Sequence, residues 1–186
     1  MANKGYSAPT ITVAVLLLFS FFCLHITEAE RATKLGREKI KQLHFYFHDI
    51  VSGKNVTAVE VASAPTTDSY FTQFGLVRVM DDWLTEGPEA TSKMVGRAQG
   101  IYVSTCQQNV HLLMASTFVF EGGAYNGSTL AMVGKNAVFD TVREMPIVGS
   151  SGLFRLARGY ALARTHSIDL KTGNAVVEYN VTVLHY

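Results

Sequence analysis

Residues 43–50, LHFYFHDI, place a carboxylate at the end of an apolar row. With the two-residue period of a strand, Leu43, Phe45 and Phe47 share one face with Asp49, while His44, Tyr46 and His48 share the other. Further along, polar groups able to move protons or steady charge stand among aromatics: Asp81, Asp82, Tyr102, Ser104, Tyr125, Asn136 and Arg143. Carboxyls and a phenol offer acid–base chemistry, and an arginine can steady a developing oxyanion. Each also has a plainer reading. Asp81-Asp82 suits the end of a strand, and Arg143-Glu144 a surface pair worth little.

Other chemistries lack their residues. The GSSG at residues 149–152 does not have the spacing of a nucleophile elbow, and no Walker loop or G-x-G-x-x-G occurs. His44 and His48 share a strand face, but four residues of strand separate them by about 13 Å, too far for one metal. No metal and no cofactor are expected, and nothing marks a redox centre.

The elements that position these groups read as strands. Candidates are residues 43–50, 58–64, 75–80 (ended by Asp81-Asp82), 95–104, 112–121, 128–133, 159–167 and 175–184, separated by turn sequences such as SGKN, GGAYNG and KTGN. No segment shows a long 3.6-residue apolar period or βαβ spacing, which argues for an antiparallel sandwich or a closed barrel. Within 95–104, Gly96, Ala98 and Gly100 share a face with Tyr102 and Ser104. Such a small-residue row means either a close sheet contact or bulge, or a cavity whose polar end Tyr102 and Ser104 would line. Residues 112–121 are apolar on both faces, so the outer face is expected to meet another subunit.

The flanks bound where the chain works. Residues 1–29 carry a lysine-containing start, the apolar run ITVAVLLLFSFFCL and small residues near position 29, the pattern of a secretory signal peptide. The run is short for a bilayer, which needs about 20 residues. Residues 30–42 read as a polar arm or short helix, and 43–186 as one domain. Cys23 falls in the signal, so Cys106 stands alone in the mature chain and no intramolecular disulfide forms. Sequons at Asn55, Asn126 and Asn180 fit a secreted glycoprotein, with Asn180 inside a strand the weakest. The net charge of +1 leaves no electrostatic footprint for nucleic acid or an anionic membrane.

The motifs LHFYFHD, LTEGPE, VGRAQGIY, YNGSTL, VREMPIVG, FRLARGYA and VEYNV, in this order, resemble the dirigent protein family of plants across residues 43–186. The resemblance implies an all-β, eight-stranded antiparallel β-barrel forming a homotrimer, secreted to the apoplast with N-glycans. It implies a protein that binds phenolic intermediates and imparts stereoselectivity on phenoxy-radical coupling, as in lignan formation, while a separate laccase or peroxidase performs the oxidation. The alternative it implies is a pterocarpan synthase, a dehydratase closing a ring in an isoflavanol through a quinone methide. Asp49, Tyr102 and Arg143 match family pocket residues, with Asp49 as general acid or base and Arg143 holding a phenolate oxygen. Phe47, Asp82, Ser104, Tyr125 and Asn136 complete the expected pocket. Lignan-forming members carry an aspartate at the position of Asn136 and an aromatic at that of Ser104, so this chain is similar to the branch that includes pterocarpan-forming members. If the row of Leu43, Phe45 and Phe47 faces a barrel interior, desolvation should raise the pKa of Asp49.

Overall fold

Alternating apolar residues in short segments without helical periodicity produce strands, and a computed structural model describes residues 36–186. The strands are β1 (Lys39–Asp49), β2 (Ala58–Ala62), β3 (Val77–Thr85), β4 (Met94–Ser104), β5 (His111–Phe120), β6 (Thr129–Ala137), β7 (Arg143–Ser151), β8 (Arg158–Ile168) and β9 (Ala175–His185). Neighbours pair antiparallel in the order β1-β9-β8-β7-β6-β5-β4-β3, and a β1–β3 pairing closes the ring. The result is a closed eight-stranded antiparallel β-barrel. The eighth position is shared. β1 pairs the second half of β3 through Tyr46↔Thr85, Phe47↔Leu84 and His48↔Trp83. β2 then pairs the first half, from Ala58↔Met80 to Ala62↔Val77. Residues 50–57 bridge this break.

Period two sorts the side chains. Phe45, Met80, Leu84, Phe118, Leu130 and Tyr179 point inward and are buried. Phe118 stands edge-on to both Phe45 and Tyr179, with centroids 5.0 and 5.4 Å away, an arrangement aromatic quadrupoles favour. This aromatic layer fills the middle of the barrel. Phe120, Tyr125, Phe154 and His185 pack together at one end. The other end, where β1, β4, β6 and β8 finish and β3, β5, β7 and β9 begin, stays hollow.

Several expectations change. β1 starts at Lys39, within the segment expected as an arm over residues 30–42; Lys39 and Lys41 on the phase of Leu43 and Phe45 masked the strand. β3 does not stop at Asp81-Asp82 but runs through them to Thr85, because the two aspartates face opposite sides of the barrel wall. β7 was absent from the sequence reading. Pro146 and the Gly149-Ser150-Ser151 run look like loop, yet the proline sits where the β6–β7 ladder ends at Met132↔Ile147, so its missing N–H costs no ladder bond there. The small-residue row of β4 resolves as close approach. A Cβ at Gly96 would lie 2.1 Å from the Val119 carbonyl oxygen, and one at Gly100 2.2 Å from that of Ala115. The signal segment 1–29 and Cys23 lie outside the described residues. Cys106 is a free thiol, and among the described residues no helix is long and apolar enough to cross a membrane.

Candidate acid–base site at the open barrel mouth

The hollow end encloses a cavity of about 470 Å³, within the size range of small-molecule sites. Strand alternation decides what faces it. The inward phase of β1 brings Phe47 and Asp49 to the mouth, that of β4 brings Tyr102 and Ser104, that of β6 Asn136 and that of β7 Arg143. Six of the sequence-selected residues therefore share one wall-lined space.

Asp49 ends β1 opposite Ala175. Both its carboxylate oxygens lie 3.2 Å from the Tyr102 hydroxyl, which donates to them. Burial drives the Asp49 pKa up to about 6, and the Tyr102 hydrogen bond and the nearby positive charge of Arg78 only partly oppose this. Tyr102 is itself pushed well above the ordinary phenol value, first by burial and then by the charge of Asp49. It remains a donor throughout the physiological range. The Arg78 guanidinium lies 5.9 Å from the Tyr102 ring centroid.

Asp82 stands on the same inward phase of β3 but does not line the cavity. It sits in the wall behind Asp49, fully buried, and neither carboxylate oxygen has a hydrogen-bond partner. Burial, then the charge of Asp49, pushes its pKa up to about 8. Thr57 opposes this weakly, since its hydroxyl proton is directed at the His48 carbonyl. Asp81, one residue away, faces out and is gripped by Arg97 at 2.6 and 2.7 Å. That grip holds its carboxyl below the usual range.

Arg143 sits across the mouth. Its Nε donates to Asn136 Oδ1 at 3.0 Å, and one terminal nitrogen donates to Thr165 Oγ1 at 2.9 Å. Among the described residues no carboxylate pairs with it. Its neighbour Glu144 is exposed on the outer face, so the surface-pair reading of Arg143-Glu144 does not hold. Asn136 is thus the residue that aims Arg143, not a proton donor left out of the site. Ser104 touches the cavity, but its hydroxyl donates to the Thr72 carbonyl at 2.6 Å, tying the β2–β3 connection to the barrel wall.

Tyr125 does not belong here. It stacks on Phe154 at the plugged end, with centroids 5.0 Å apart, and Lys41 Nζ lies 5.5 Å from its ring centroid. Tyr125 was expected in the pocket because sequence does not say which end of a barrel a turn caps. Conversely, Arg78, Leu112, Met114, Thr165 and Val177 line the cavity and were missed. For Arg78 a signal existed: it shares the strand phase of Met80 and Asp82. Among the described residues no cluster of three His, Cys, Asp or Glu could hold a metal. Asn55 and Asn126 are exposed beside turns, and Asn180 is exposed on the outer face of β9.

Comparison with known proteins gives one answer. The profile of the family described as Dirigent-like protein matches residues 40–184. Dirigent protein 23 of Arabidopsis thaliana is 54% identical over 157 residues, covering 84% of each chain. Pterocarpan synthase 1 of Glycyrrhiza echinata is 44% identical over 187 residues, covering 96% of this chain and all of the other. The solved structure of a pterocarpan synthase dirigent protein superposes with a TM-score of 0.77 at 48% identity, covering 82% of this chain and 88% of the other.

Proposed function

This chain belongs to the dirigent family, and we propose that within it the protein is a cofactor-free dehydratase of the pterocarpan synthase kind, acting on an isoflavanol in the open barrel mouth. The observation that carries the reading is Asp49: a carboxyl held by Tyr102 and desolvated until it keeps its proton to about pH 6. An acid tuned in this way can protonate a poor leaving group near neutral pH. Arg143, aimed by Asn136 and Thr165 and free of any carboxylate, is suited to a phenolic oxygen that gains negative charge. Similarity to pterocarpan synthases across nearly the whole chain supports the same reading.

In this reaction Asp49 gives its proton to the benzylic hydroxyl, whose carbon–oxygen bond breaks to release water. The conjugated phenol gives its proton to solvent, and the resulting quinone methide oxygen rests against Arg143. A second phenolic oxygen attacks the vacated carbon, forming the ring bond; its proton returns to Asp49, and the first phenolic oxygen, left as a phenolate, takes a proton back from solvent. Water leaves and no electrons are exchanged. Phe47 on β1 and Leu112 and Met114 on β5 give the cavity apolar lining for a planar intermediate. Unequal packing of its two faces by a few kcal/mol fixes the handedness, since about 1.4 kcal/mol is tenfold.

A second reading has support from the 54% identity to Dirigent protein 23. There the mouth would hold phenoxy radicals supplied by a separate laccase or peroxidase and steer their coupling. Incubation with isoflavanols without oxidant, followed by chiral chromatography, separates the two. A single pterocarpan enantiomer supports the dehydratase. No conversion, together with optically active dimers from monolignols plus laccase, would replace it with the coupling role.

The assembly and setting proposed are a secreted, N-glycosylated homotrimer in the apoplast. An apolar band supports the oligomer. Val59, Val79, Ile101, Ala115 and Val133 occupy successive facing positions on β2 to β6, and all but Ala115 are at least 40% exposed valines or isoleucine on the outer wall.

A further inference from the structure

Asp82 has no role in the reaction as described, yet its place in the wall is costly. A fully buried carboxyl with both oxygens unpartnered is among the least favourable arrangements a fold can keep. Its neighbour explains the position. The β1–β3 ladder runs Tyr46↔Thr85, Phe47↔Leu84, His48↔Trp83. The next facing pair in that register is Asp49 with Asp82, both on the inward phase, at the point where β1 leaves β3. Two carboxyls at facing strand positions, inside a desolvated wall, cannot both be ionised at moderate cost.

We propose that Asp82 is the hidden half of a carboxyl pair with Asp49, a positioning residue that holds one proton in the wall and keeps Asp49 able to act as an acid without touching substrate. Burial and then the charge of Asp49 act together on Asp82. Other charged and titratable groups act on the pair from the neighbouring strands. These are Asp81 and Arg78 on β3, Arg97 and Tyr102 on β4, and Tyr179 on β9. Arg97 is held by Asp81; the charge of Arg78 lowers the Asp49 pKa but leaves it raised by burial to about 6. Between the two midpoints, about 6 and about 8, the pair carries one proton. When Asp49 has protonated the leaving hydroxyl, the proton of Asp82 can restore it, leaving Asp82 as carboxylate. The proton freed at ring closure then returns to the pair.

The catalytic use of the pair rests on the dehydratase reading; its existence does not, so the test has two arms. Infrared titration of the protein reads the C=O band of a buried protonated carboxyl. In the wild type that band should persist to about pH 8, and in Asp82→Asn it should be gone above about pH 6. In Asp49→Asn it should survive with a midpoint below that of the wild type, because the repelling charge is gone. A band that persists to pH 8 in Asp82→Asn, or an unshifted midpoint in Asp49→Asn, would overturn the pair. The second arm follows isoflavanol turnover against pH. The wild-type rate should level off between pH 6 and 8, while Asp82→Asn keeps falling tenfold per unit, so their ratio widens with pH, by up to about a hundredfold across that window. Parallel profiles would remove the proton-holding role. A wild type that turns over no isoflavanol would sink the dehydratase reading alone, since the infrared arm still decides the pair.

Discussion

Asp49→Asn keeps the shape of the site and removes its proton. Turnover should drop by roughly 100-fold to 10,000-fold with the circular dichroism spectrum unchanged. Tyr102→Phe does the opposite of disabling the acid. It removes the hydrogen bond that pulls the Asp49 pKa down, so the alkaline midpoint of the rate profile should move above about pH 6. Arg143→Lys cannot reach Asn136, Thr165 and a phenolic oxygen together from one ammonium. A loss of about 100-fold in kcat is expected, with KM changed less, because the charge it stabilises exists only along the reaction path. Strand phase in the sequence already singled out Asp49 and Tyr102, and the family resemblance added Arg143. Both failed on their supports. Asn136 read as a missing carboxylate because its hydrogen bond to Arg143 joins two strands, and Asp82 was expected as pocket lining because sequence does not say how deep in the wall a residue lies.

Among the elements, β4 carries the tightest constraint. Gly100→Ala would drive a Cβ to 2.2 Å from the Ala115 carbonyl oxygen and 2.8 Å from the Ser116 Cα. Both are backbone atoms of the paired strand and cannot swing away. A loss of roughly 3 kcal/mol or more is expected, read as a lower denaturation midpoint. The glycines hold strands close and do not carve the cavity, which instead comes from the large residues retreating to the middle and the far end of the barrel. β9 was legible because its residues alternate, with Val177, Tyr179, Val181 and Val183 buried on one face, and β5 because it is a long apolar run bounded by turn sequence. β7 was not, because Pro146 and Gly149 are tolerated only thanks to the pairing geometry around them, which is a property of β6 as much as of β7.

At the scale of the whole molecule, the exposed band across β2 to β6 should disappear in a trimer. Light scattering should give three times the mass of one chain, and Ile101→Glu should give a monomer that still binds phenolics. Stability should also follow pH in an unusual direction. Asp49 and Asp82 bind their protons more tightly in the fold than in the unfolded chain, where the value is near 3.8. Their contribution is full below about pH 4 and is lost as pH rises through 6 and then 8. The loss for Asp49 alone is on the order of 3 kcal/mol, so thermal scans should show a falling melting temperature over that range, blunted in Asp82→Asn. The barrel is also unevenly fastened. Its closing seam holds only the three β1–β3 pairs, whereas β1 is laddered to β9 along its full length. The carboxyl pair lies at the end of that seam, so each brief parting of the wall there would let water reach Asp82 and its proton escape. Amide hydrogen exchange near Trp83 and Leu84 should therefore quicken as the medium turns alkaline, making the proton itself a clasp on the barrel.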